Sequence, residues 1–291
     1  MKSRMRRQAT IKESVSVKGF GFWSGEDAQV TFGPAEADRG IVFVRSDLPN
    51  QPQIPATLNW RTPGPRRTTL QQADVSVELV EHVLAALSGL QIDNCLIYLD
   101  RSEVPGLDGS AEPFVQALQM AGRREQVAWR KQLVILEPLR VESSDGWIEA
   151  CPGLPTQLKL KYMLDYGSHP AIGKQNFEFR FDRRRFVDEV ASARTFLLEQ
   201  EALALQSKGL GCRVRYEDVL VFNEQGPVQN GLRFENECAR HKLLDMIGDF
   251  ALSGCDIVGS VTAYRSGHQL NAEFVSALLK QYHLTTQRVS A

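Results

Sequence analysis

The chain has 291 residues, 43% hydrophobic and 24% charged, enough for a sizeable core and long enough for two domains. Its 34 Lys+Arg offset 35 Asp+Glu to a net charge of −1, which excludes a global basic field for nucleic acid. The five cysteines are odd in number and lack CxxC spacing, which argues against a disulfide framework and fits a reducing compartment.

The first part reads as strands. Gln8–Val17, Ala28–Phe32 and the β-branched Ile41–Arg45 are short, and Gly19, Gly21 and Gly25 punctuate the stretch between the first two. Arg66–Arg67 reads as solvated surface charge, as does Arg183–Arg185. A helix is predicted from about Val77 to Ser88, with Asp74 or Ser76 as N-cap and Gly89 as C-cap. A strand follows at Asn94–Leu99. Asp108-Gly109-Ser110 then reads as a turn plus N-cap before a helix at Ala111–Ala121.

The second half repeats this order. Strands are predicted at Leu133–Val141, Trp147–Ala150, Leu158–Tyr162 and Asn176–Arg180. A helix at Glu237–Ser253 leads into a strand at Asp256–Tyr264, the loop Arg265-Ser266-Gly267-His268 and a last helix near Asn271–Tyr282. His169 reads as a loop residue and His283 as solvated. Sequence echoes such as Phe114-Val115-x-Ala117-Leu118 and Phe274-Val275-x-Ala277-Leu278 point to an internal duplication. The predicted division is a domain at 1–124 and another at 131–291, with the charged stretch Ala121–Lys131 between them. Two helices are apolar nearly all round, those carrying Val80–Leu87 and Leu243–Ala251, and such helices are buried on most sides. The expected class is therefore α+β: two similar domains, each a small sheet with helices, the helices sandwiched between the two sheets. The basic start is followed by no apolar segment, and no window approaches the ~20 apolar residues that span a bilayer. A cytoplasmic protein without a transmembrane segment is expected.

Charge on a buried helix needs a partner. His241, Asp245 and Asp249 lie at i, i+4 and i+8 on one stripe, and Glu81 and His82 sit among apolar neighbours on the duplicated helix. One ion bridging His82, His241 and Asp245 meets that need, and two imidazoles with one carboxylate leave the open position of catalytic zinc. Zinc lowers the pKa of bound water to about 7, and Glu81 can take that water's proton. His268, in the Ser266-Gly267 turn, can protonate a leaving amine or steady an oxyanion, with Asp249 holding its ring. The apolar run from Thr195-Phe196-Leu197-Leu198 through Ala202-Leu203-Ala204-Leu205 fits either a core helix or the wall of an acyl-chain site.

Several ordered segments resemble one family. Val80-Glu81-His82, Leu107-Asp108-Gly109-Ser110-Ala111, Ala193-Arg194-Thr195-Phe196, Arg240-His241-Lys242-Leu243-Leu244-Asp245 and Ser266-Gly267-His268 are similar to motifs of the UDP-3-O-acyl-N-acetylglucosamine deacetylases. That resemblance implies zinc on His82, His241 and Asp245, Glu81 as general base, and His268, backed by Asp249, as acid or electrostatic partner. It implies that Thr195 stabilises the oxyanion, that Lys242 lies near the substrate diphosphate and Tyr166 near the nucleotide. It also implies an acyl-chain insert near 195–225 that Phe196 opens. The implied partner is the UDP-linked acylated glucosamine, and the implied reaction removes its acetate, the committed step of lipid A biosynthesis. Two departures stand out: Trp23 replaces a histidine in Gly21-Phe22-Trp23-Ser24-Gly25, and Glu78-Leu79 replaces the usual Ser-Thr. They keep open a zinc amidohydrolase acting on a different N-acylated sugar. A non-catalytic nucleotide-sugar-binding homologue is the third possibility.

Overall fold

The computed structural model describes residues 5–154 and 157–289, with side chains through 282; that of His283 lies outside the described residues. In the first half, the strands are β1 (Arg7–Ile11), β2 (Val15–Phe20), β3 (Asp27–Pro34), β4 (Ile41–Arg45) and β5 (Gln53–Pro55). A small three-stranded sheet follows, of β6 (Arg61–Thr62), β7 (Thr69–Gln72) and β8 (Val75–Glu78). Helix α1 (Glu81–Gly89), strand β9 (Cys95–Leu99), helix α2 (Glu112–Ala121) and strand β10 (Arg123–Trp129) complete this part.

The second half holds β11 (Gln132–Val134), β12 (Leu139–Glu142), β13 (Trp147–Cys151), β14 (Leu158–Asp165) and β15 (Lys174–Arg180). After α3 (Arg183–Glu189) come β16 (Phe196–Leu198), α4 (Glu199–Gln206) and β17 (Leu220–Phe222). The chain closes with α5 (Glu237–Ala251), β18 (Asp256–Tyr264) and α6 (His268–Val289).

The two main sheets have one topology. The first runs β2-β3-β9-β4-β5 and the second β12-β13-β18-β14-β15. In both, the central strand (β9 or β18) pairs antiparallel on one side and parallel on the other. In both, that strand joins a buried helix to an amphipathic one, as α1–β9–α2 and α5–β18–α6. The α+β architecture of two similar units is therefore as expected. No helix among the described residues is long and apolar enough to cross a membrane.

Several local expectations give way. Gln8–Val17 is two strands, and Leu133–Val141 is likewise split, into β11 and β12 around Glu137-Pro138. Residues 75–78 form β8 rather than the first turn of α1, because they pair with β7. Leu79 then enters the left-handed region (φ 61°), and the helix starts only at Glu81. The last helix begins three residues early, at His268. The charged stretch Ala121–Lys131 is mostly β10, pairing with β1.

What positions the site is the crossing of α1 and α5. Every residue of α1 but Ser88 is buried, and every residue of α5 but Arg240, Lys242 and Ala251. The helices touch backbone to backbone at Gly248, where a Cβ would lie 2.1 Å from the Glu81 carbonyl oxygen. Only glycine permits that approach. Near the starts of the central strands, the Arg6 guanidinium bonds Asp93 and Asp256 at 2.7 Å each and ties the two sheets together.

Candidate metal centre

At the α1–α5 crossing, the ligand atoms of His82, His241 and Asp245 lie within 4.8 Å of one another, and all three residues are buried. Asp245 Oδ1 is 3.3 Å from His241 Nε2 and 3.6 Å from His82 Nε2. It is buried with no hydrogen-bond partner among the described residues. A buried carboxylate oxygen without a hydrogen-bond partner, facing two imidazole nitrogens, is a donor set that suits a cation. The tautomer agrees: His241 Nδ1–H donates to the Ala193 carbonyl at 3.0 Å, which leaves its Nε2 lone pair for a metal. Burial pushes the His241 pKa down to about 3, so the ring is neutral across the physiological range. Burial alone would raise Asp245, but His241 and Lys242 hold it well below the usual carboxylate range.

A second cluster faces the first. His268 Nε2 lies 3.9 Å from Glu81 Oε1, and His268 Nδ1–H donates to Asp249 Oδ2 at 2.9 Å. Burial opposes charge on His268, yet the Asp249 carboxylate outweighs it and lifts the pKa to about 9. The imidazole is thus a cation at neutral pH. Burial also raises Glu81, which favours proton acceptance nearer neutrality than a free carboxylate allows.

Thr68 joins this cluster and carried no signal in the sequence. Its backbone N–H donates to Glu81 Oε2 at 2.9 Å and its hydroxyl to Asp249 Oδ1 at 2.5 Å. One buried residue thereby orients both members of the carboxylate–imidazole pair. Asn271 Nδ2 adds a 2.8 Å bond to Asp249 Oδ2.

Both clusters open into one cavity of about 950 Å³, which Thr195, Phe196, Tyr166 and Lys242 also line. Lys242 Nζ donates to Asp245 Oδ2 at 2.8 Å and lies 6.0 Å from the Phe196 ring centroid. Phe196 in turn packs against Tyr166, Phe222 and His241. The apolar run after Thr195 is not a core helix. It is β16 and then α4, none of whose residues is fully buried, and Leu197, Leu203 and Leu205 wall the cavity. Arg183–Arg185 is the expected surface cluster, but Arg67 is half-buried, paired with Glu78 at 2.7 Å and set over the Trp23 ring at 4.6 Å.

A buried His-His-Asp triad beside a cavity and faced by a carboxylate–imidazole pair is an arrangement compatible with a metal-dependent hydrolase. Comparison with known sequences narrows the class. Residues 8–280 match the model of the UDP-3-O-acyl N-acetylglycosamine deacetylase family, and the chain belongs to that family. It is 39% identical over 279 residues to a UDP-3-O-acyl-N-acetylglucosamine deacetylase of Haemophilus influenzae (strain PittEE), covering 94% of this chain and 90% of the relative. It is 38% identical over 279 residues to the one of Pasteurella multocida (strain Pm70), with the same coverage. The one of Anaeromyxobacter sp. (strain Fw109-5) is 39% identical over 273 residues, 94% of this chain and 88% of that protein.

Proposed function

We propose that this protein is a zinc-dependent deacetylase that removes acetate from UDP-3-O-acyl-N-acetylglucosamine, the committed step of lipid A biosynthesis. The observation that carries the reading is the unpartnered Asp245 Oδ1 between the Nε2 atoms of His82 and His241. Those three residues would hold the ion. When bound, zinc supplies Lewis acidity to the amide carbonyl and lowers the pKa of water.

The remaining work falls to side chains. Glu81, held at Oε2 by the Thr68 N–H, has Oε1 free to take the proton of the attacking water. His268, kept cationic by Asp249 and lining the cavity, steadies the oxyanion and then protonates the departing nitrogen. The Thr195 hydroxyl is the second donor to the oxyanion. The products are acetate and the free amine. Lys242 and Tyr166 would contact the nucleotide diphosphate, and Phe196 with Leu197, Leu203 and Leu205 would line the acyl chain. All five cysteines are free, which fits a cytoplasmic site of action.

The test is acetate release from the UDP-linked substrate. Release should stop on chelation and return with added zinc. Absence of release, or release indifferent to chelation, would overturn the proposal.

A further inference from the structure

The two departures from the family pattern, Trp23 and Glu78, are parts of one assembly. The Arg67 guanidinium lies over the Trp23 ring with its carbon 4.6 Å from the centroid, and its Nε donates to Glu78 Oε2 at 2.7 Å. On the backbone side, the N–H groups of Trp23 and Ser24 donate to the two oxygens of Glu103 at 2.8 and 2.9 Å. Glu103 is itself buried, and a Cβ on Gly21 would fall 2.3 Å from its Oε2, so a side chain there would displace the carboxylate. The Trp23 ring is therefore held from behind by a cation and along its backbone by an anion.

That fixed ring is a wall of the catalytic cavity. The loop it belongs to packs on the segment after α4. Arg213 Nη1 donates to the Gly25 carbonyl at 3.0 Å, and the Arg213 guanidinium sits over Phe20 at 4.3 Å. Phe22, Leu210 and Val214 line the cavity at this junction, so its wall here is apolar. Trp23 thus lies beside an apolar part of the cavity wall suited to a hydrocarbon chain, and neither Arg67 nor Glu78 lines the cavity itself.

We propose that Trp23, immobilised by Arg67 and Glu78, is a specificity-determining residue that sets the longest 3-O-acyl chain the enzyme accepts. The inference rests on the deacetylase reading above. A rigid aromatic wall excludes surplus methylenes, because close-packed side chains that cannot shift leave an added group no room. A methylene that an apolar pocket fits or rejects changes kcat/KM by roughly 10- to 200-fold. Arg67 and Glu78 are positioning residues that act through the ring.

The experiment measures kcat/KM for a series of UDP-3-O-acyl-N-acetylglucosamines of increasing acyl length, on the zinc-loaded wild type, Trp23→Ala and Glu78→Gln. The wild type should show a cut-off length. Trp23→Ala should extend it, raising the ratio of long-chain to short-chain kcat/KM by about tenfold or more. Glu78→Gln, which removes the charge that holds Arg67 without altering the cavity lining, should shift the same ratio in the same direction by less. An unchanged length profile in both variants overturns the proposal, as does an even loss across all lengths. If Trp23→Ala fails to fold, Glu78→Gln and Trp23→Phe carry the test alone. Failure of the wild type on every chain length would instead refute the deacetylase reading, so the two failures are distinguishable.

Discussion

Replacing Asp249 by asparagine should discharge His268 at neutral pH. The carboxylate receives three hydrogen bonds, from His268 Nδ1, Asn271 Nδ2 and the Thr68 hydroxyl, and asparagine keeps its shape while removing its charge. Asp249 is the main influence lifting His268 to about 9 against its burial. The rise from the ordinary 6.5 corresponds to about 3 kcal/mol of preference for the cation. Without Asp249, burial is opposed only by the smaller influences of Glu81 and Asp245, and the pKa should fall to 6.5 or below. At pH 7.5 the protonated fraction then drops from roughly 97% to roughly 9% or less. The assay is an NMR titration of the His268 ring in metal-stripped protein, wild type against Asp249→Asn. The zinc-loaded enzymes should follow, with the basic limb of the pH–rate profile displaced to lower pH in the variant. A His268 ring that still titrates near 9 in Asp249→Asn would refute the assignment of its charge to this carboxylate.

Glu81→Ala and His268→Ala should each lower kcat by on the order of 10²-fold or more at matched zinc content; near-normal turnover in both would remove the roles given to them. Gly248→Ala should force α1 and α5 apart, since the new methyl meets the Glu81 carbonyl. It should weaken zinc binding and cost about 1–3 kcal/mol of stability, read by metal titration and thermal melting. In metal-free protein, His268 contributes stability that is complete below pH 6.5 and lost as pH rises through about 9. His241 behaves oppositely: its contribution is complete above pH 6.5 and lost as pH falls toward about 3. The melting temperature of the stripped protein should therefore peak near pH 6.5, and a flat profile from 6.5 to 9 would contradict the state assigned to His268.

The triad was legible because His82, His241 and Asp245 occur on helices that are apolar and buried on most sides, where charge needs an explanation. The two-unit fold was legible from the repeated order of elements, although their edges were not. Val75 and Val77 continue the apolar pattern of α1 in sequence, and only their pairing with β7 shows that they belong to a strand. Thr68 could not be found by spacing, since its partners Glu81 and Asp249 stand 13 and 181 residues away. Arg67 looked like surface charge for the same reason: Glu78 and the Trp23 ring that engage it are separated from it in the chain. The run after Thr195 has the composition of a core helix, and its place beside an open cavity decided otherwise.

The split ligand set has a mechanical consequence. α1 supplies one imidazole, and α5 the other together with the carboxylate, so neither unit holds the full set unaided. On the proposed ligand set, an ion at the crossing would act as a rivet through two plates of the same pattern. Its binding energy is then also cohesion energy between the units, and depletion of the metal would slacken the joint as well as silence the chemistry.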